Sequence, residues 1–292
     1  MKRDPQTGLN DAEFLSHNTV RIEAELSQGY NSIGTGFLYQ FFSSNKTGFP
    51  ALVTNRHVLE NAMSVTLEFN PTGEDNNVDF NGRKLVFKVT EFQNGWYKHP
   101  NPNIDLAVIP MSAIINRISE SGVHPFITFF RRKNFPKPEE WNGLSALEPI
   151  IMVGYLNGIW DSFNNLPVLR RGMTATHPKI DFEGRPEFLI DSAVYTGSSG
   201  SPVFLFEYKD IMLGRDLNLG KDKPRLVGIL YGCYLHQQAG YMKSIPIPTV
   251  KKQIPVINIP NNLGIVIKSK ELDGFISLID RKISENKVVE DE

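Results

Sequence analysis

The chain has 292 residues, with 31 lysines and arginines against 32 aspartates and glutamates, a formal charge of -1. That balance excludes attraction to nucleic acid or anionic lipid through bulk charge. Hydrophobic residues at 40% and charged residues at 22% are a globular composition, and a single cysteine, Cys233, excludes an internal disulfide framework and a Cys-built metal site.

The opening MKRDPQTGLNDAEFLSHN has early basic residues but no apolar run after them. A secretory signal needs roughly 7–15 apolar residues there, and no stretch reaches the roughly 18–20 of a membrane span. A cytoplasmic protein that does not engage a membrane is the expectation. Thr19–Leu26 (TVRIEAEL) then places Val20, Ile22, Ala24 and Leu26 on one face. Further short runs at 33–42, 51–54, 65–69, 85–89 and 106–109 are separated by the turn compositions NKTG, NPTGEDNN and QNG. Strands at this density, without helical repeats between them, predict an antiparallel barrel.

Residues 111–147, with FFRRKNFPKPEEWNG, read as a connection. A second strand series follows at 150–155, 168–176, 187–190, 201–206, 226–230 and 240–245, interrupted by a polar, exposed loop at 207–224. Helical spacing returns at 272–283, where Leu272, Phe275, Ile276, Ile279 and Ile283 share a face. The division is an N-terminal segment 1–16, a first barrel 17–125, a connecting segment 126–145, a second barrel 146–255 and a C-terminal extension with a helix, 256–292.

Three segments carry chemistry. In ALVTNRHVLENA an apolar strand runs into a polar turn and delivers His57 at its end; a single histidine in such a place is more often structural. In NPNIDLAVIP, Asp105 precedes four apolar residues, where a carboxylate also serves as a cap or turn residue. DSAVYTGSSGSPVF is more specific: Gly197 and Gly200 bracket two serines ahead of an apolar strand. Glycines there permit a tight loop whose amide N–H groups converge, the geometry that stabilises an oxyanion. The order His57, Asp105, Ser199 supplies a base, a carboxylate that fixes its tautomer, and a nucleophile.

These segments closely resemble the chymotrypsin-like (trypsin-fold) serine peptidases: TNRHV matches T-x-x-H, NIDLAV matches D-[IL]-A-[VL], and GSSGSPVF matches G-x-S-G-[GS]-P. GTGFLY, MVGYLNG and LRRGMTATH resemble strands of bacterial HtrA-type peptidases, and GSPVF also resembles the glutamyl endopeptidases; no PDZ-like pattern follows. The resemblance covers roughly residues 17–255 and implies an all-β fold of two six-stranded antiparallel Greek-key barrels with a short C-terminal helix. It implies a serine endopeptidase in which Ser199 is acylated, His57 is the general base and acid, and Asp105 orients it. Backbone N–H groups of Gly197 and Ser199 would form the oxyanion hole. The implied partner is a protein or peptide substrate; no cofactor, metal or nucleic acid is expected.

The departures from the family are informative. Digestive members carry Asp before the nucleophile, paired with a freed N-terminal amine, whereas Ser198 stands here. The loop is therefore expected to be ordered otherwise, by a regulatory or sensor protein docking on 207–224 or the C-terminal helix, or by substrate; a constitutive enzyme is the competing expectation. Aligned on the motif, the base of the specificity pocket falls at Ala193, with Tyr195, Thr196, Tyr231, Gly232 and Cys233 around it, a neutral pocket. Asp191 is the alternative floor charge. His236 substitutes poorly for the histidine of glutamyl endopeptidases. A catalytically silent trypsin fold, used for binding, is the alternative function, but such chains usually lose a triad member or the loop glycines. An esterase would place its serine between a strand and a helix. His99 and His124 lack a second ligand at metal spacing.

Overall fold

The computed structural model describes residues 11–73, 77–90, 92, 95–156, 159–205, 225–237 and 258–290. Helix α1 (Asp11–Asn18) leads into strand β1 (Thr19–Leu26), which pairs with β2 (Asn31–Phe42) so that Arg21 faces Thr35. Then come β3 (Gly48–Thr54), the one-turn helix α2 (Arg56–Leu59), β4 (Ala62–Phe69), β5 (Leu85–Thr90), the two-residue β6 (Tyr97–Lys98) and β7 (Ala107–Pro110). They form one seven-stranded sheet in the order β5-β4-β1-β2-β3-β7-β6. Its concave face buries Ile22, Leu38, Leu52, Val65, Leu67 and Ile109.

Helices α3 (Ser112–Ser119) and α4 (Pro138–Gly143) lie in the connection. The second half is built from β8 (Pro149–Gly154), β9 (Val168–Thr174), β10 (Glu187–Asp191), β11 (Pro202–Leu205), β12 (Leu226–Gln237) and β13 (Asn258–Lys268). These close into a barrel, β10-β13-β12-β11-β8-β9. Strand β8 explains why its sequence reads as an unbroken apolar run. Ile150 and Met152 point into the second barrel, while Ile151 and Val153 point into a separate core at the junction of the halves. Phe37, Phe130, Phe204 and Ile229 fill that junction, with Leu272 and Phe275 from a 3-10 helix (Ser269–Phe275) and Ile279 from helix α5 (Ile276–Glu290).

Two features differ from the sequence expectation. The first half is a curled half-barrel rather than a closed six-stranded ring: its edge strands β5 and β6 pair with other neighbours, and β6 is too short to leave a pattern. The second barrel does not end at 255. Its sixth strand is Asn258–Lys268, seated between β10 and β12, and NIPNN at its start hid it among turn-like residues. The strand expected at 240–245 and the loop at 207–224 lie outside the described residues.

Candidate active site

Register in the first sheet brings two of the three chemical segments together. Thr54 at the end of β3 lies opposite Ala107 at the start of antiparallel β7, so the residues just after one and just before the other share an end of the sheet. Asn55 leaves the helix without a side-chain cap; its amide instead donates to the Asp105 carbonyl at 2.8 Å. His57 Nδ1 lies 2.5 Å from Asp105 Oδ2, and Asp105 Oδ1 accepts the His57 backbone N–H at 3.1 Å. The Asp105 carboxylate is mostly buried, with 17% of its side chain exposed against 45% for His57. A carboxylate at Nδ1 keeps the proton on that nitrogen and leaves the Nε2 lone pair to take a proton. Arg56 closes the far side, donating to the Pro102 carbonyl at 2.9 Å with Nε 3.9 Å from Asp105 Oδ1.

The glycine-serine loop is delivered by β11. Gly197 and Gly200 adopt φ of 90° and 87°, a region open to glycine. Ser198 is fully buried and ties the loop on itself: its N–H donates to the Tyr195 carbonyl at 3.0 Å, and its Oγ accepts the Tyr195 N–H at 3.3 Å. The Gly200 N–H donates to Leu230 and the Ser201 N–H to Ser198. Among the described residues, neither the Gly197 nor the Ser199 N–H has an acceptor. Ser198 thus orders the loop through neutral hydrogen bonds within the chain.

Ser199 joins the other two segments through backbone bonds. Its carbonyl accepts the Thr35 N–H at 2.8 Å, and the Thr35 carbonyl accepts the Thr54 hydroxyl at 2.7 Å, three residues before His57. Of the pocket positions, Ala193 and Cys233 are half-buried, and among the described residues Ile265 alone lies near where a Cβ on Gly232 would stand, at 3.8 Å. Tyr195 and Thr196 are exposed, and the Tyr195 ring stacks under Arg170. The Tyr231 hydroxyl donates to the buried Glu187 at 3.0 Å. Burial pushes the Tyr231 phenol up, and the Glu187 carboxylate adds to that rise. Burial also pushes the Glu187 carboxyl and the Cys233 thiol up. Asp191 is exposed, facing away from the barrel interior that Ile190 enters. His99 is structural, its ring held between the Asn101 N–H and the Glu271 carbonyl.

The family model described as "trypsin-like peptidase domain" matches residues 34–210, more than half of the chain and all three segments. The chain belongs to the trypsin-like peptidase domain family. Solved structures similar to this peptidase domain include an HtrA-type protease, AlgW, with a tripeptide (13% identity, 89% of this chain and 60% of that one, TM-score 0.45). A tobacco etch virus protease complexed with product is similar at 16% identity, covering 78% of this chain and 72% of that one, with TM-score 0.45. A serine endoprotease from Yersinia pestis is similar at 13% identity, covering 91% and 64%, with TM-score 0.43. The chain thus spans less than two thirds of the length of AlgW. No curated protein matches the sequence.

Sequence reasoning missed Thr35, Asn55, Arg56 and Glu187 as neighbours of this candidate site. Asn55 and Arg56 sit inside the TNRHV motif and Thr35 inside GTGFLY, so the signal was present in the polar residues flanking each matched position. Glu187 left a weaker trace, an acid at the head of an apolar strand.

Proposed function

We propose that this peptidase is a serine endopeptidase acting through an acyl-enzyme on Ser199. The observation that carries the reading is the His57–Asp105 pair, hydrogen-bonded at both ring and backbone, within one hydrogen-bonded frame with a loop whose Gly197 and Ser199 N–H groups have no acceptor among the described residues. His57 Nε2 takes the Ser199 hydroxyl proton as Oγ attacks the peptide carbonyl. The two N–H groups receive the oxyanion, worth roughly 10²–10³ in rate for each donor. His57 then protonates the leaving amine, and a water activated by the same nitrogen releases the acyl group. Ser198 cannot make the ion pair that orders the digestive members, and the internal bonds of the loop favour activity without proteolytic processing.

Labelling with a fluorophosphonate probe tests this directly. The wild-type chain should be labelled and should cleave peptides from an unbiased library, whereas Ser199→Ala should do neither. A wild-type chain inert to both probe and peptides would sink the reading and favour a silent binding module.

A further inference from the structure

The GTGFLY segment lies in the middle of β2, and its two glycines have packing reasons: a Cβ at Gly34 would press on Val58, and one at Gly36 on Ile22 and Leu52. Thr35 between them points to the other side and is fully buried. Its hydroxyl accepts the Tyr155 N–H of the second barrel at 2.9 Å and donates to the Gly197 carbonyl at 2.9 Å. The acceptance from Tyr155 leaves the hydroxyl proton for Gly197.

The consequence falls on one peptide plane. The Gly197–Ser198 peptide is held at both ends, its carbonyl by the Thr35 hydroxyl and its N–H by the Tyr195 carbonyl. The Gly197 N–H belongs to the preceding plane, so its direction relative to the held plane is set by the two dihedrals of Gly197. A glycine has almost no intrinsic preference between positive and negative φ. The φ of 90° at Gly197 is therefore set by the contacts that hold the loop, among them the bond from the Thr35 hydroxyl.

We propose that Thr35 is a positioning residue for the oxyanion hole: its hydroxyl, fixed by the Tyr155 N–H, locks the Gly197 carbonyl and so aims the Gly197 N–H at the reacting carbonyl. This rests on the reading of Gly197 and Ser199 as the oxyanion donors. It also makes the first sheet a direct contributor to a loop that belongs to the second barrel.

The test compares Thr35→Ser, Thr35→Cys and Thr35→Val in the full chain, on a peptide that the wild type cleaves. Serine keeps the hydroxyl, cysteine replaces its oxygen with a weakly bonding sulfur, and valine removes the function while keeping the shape. Losing an oxyanion donor costs roughly 10²–10³ in rate. Thr35→Val and Thr35→Cys should therefore lose about 10²-fold in kcat, with KM within about threefold. Thr35→Ser should stay within about threefold of wild type. The apparent pKa of the rate profile should not move, because His57 and Asp105 are untouched. Should the valine variant fail to fold, because it strands the Tyr155 N–H, the serine and cysteine variants differ by one atom and decide alone. Equal kcat in those two overturns the proposal, as does a shifted pH profile. A wild type that is itself inert fails the serine-peptidase reading and takes the proposal with it; an active wild type with an equally active cysteine variant fails the Thr35 proposal alone.

Discussion

Asp105 grips His57 twice, with one carboxylate oxygen 2.5 Å from Nδ1 and the other accepting the backbone N–H of the same residue at 3.1 Å. The ring bond selects the tautomer and the backbone bond fixes the short helix that carries the ring. Asp105→Asn keeps an oxygen for the backbone N–H, so the helix should stay in place, but the amide can donate to Nδ1 and stabilise the wrong tautomer. The expected outcome is a fall in kcat of about 10⁴ with an unchanged circular dichroism spectrum. An Asp105→Asn enzyme within tenfold of wild type would show that another carboxylate orients the imidazole.

Gly200 gives a structural prediction at the same site. It holds φ at 87°, and a Cβ there would overlap the Thr35 carbonyl oxygen and crowd the Thr54 hydroxyl. Gly184 has a similar φ of 72°, and among the described residues nothing lies within 4 Å of its Cβ position. Gly184→Ala should cost only the backbone strain, about 1 kcal/mol. Gly200→Ala should cost several times that and abolish turnover, because the overlap pushes the loop off β2. Thermal unfolding of the two variants separates strain from overlap, and equal losses would mean that the loop is free to move away.

The strands of the first half other than the two-residue β6, and the three chemical segments, were legible because alternation and motif survive in short windows: Thr19–Leu26 was read to the residue. Strand Asn258–Lys268 was not, since its pairing partners lie in β10 and β12, far away in sequence, and Pro260, Asn261 and Asn262 read locally as a turn. Helices Asp11–Asn18 and Pro138–Gly143 are short and polar, with little periodicity to detect. Thr35 shows the same limit at the level of function. A threonine between two glycines looks like strand filler until the fold sets a loop 162 residues away against its hydroxyl.

His17 gives a pH dependence of stability. It is packed against the rings of Phe80 and Phe126, and burial lowers its pKa to about 4, partly opposed by Glu13. The unfolded chain, with an ordinary value of about 6.5, binds this proton more readily. The contribution of a neutral His17 is therefore full above about pH 6.5, declines as the pH falls, and is gone below about 4. Its size is about 3 kcal/mol across that window. Melting temperatures of wild type and His17→Gln at pH 7 and pH 4.5 check the sign: the drop on acidification should be smaller in the variant. An equal drop would assign the acid sensitivity to other groups.

The last prediction concerns which peptide bonds are cut. Ala193 lies half-buried six residues before Ser199, beside the buried Val194, and offers no charge to a substrate side chain. Asp191 is exposed and turned from the barrel interior. The Tyr231 hydroxyl is engaged by Glu187, which leaves its ring rather than its polar group for recognition, and Arg170 covers one face of the Tyr195 ring. A cleavage profile on a peptide library should therefore be led by uncharged side chains on the acyl side of the scissile bond. Ala193→Asp places a carboxylate where an arginine or lysine could pair with it in a poorly solvated site, and a specificity difference can be built from one such pair. That variant should raise the ratio of kcat/KM for Lys or Arg over uncharged residues by at least about tenfold, about 1.4 kcal/mol in the transition state. A wild-type profile already dominated by Arg and Lys would contradict the neutral pocket and assign the floor charge to Asp191, and Asp191→Asn would then abolish that preference.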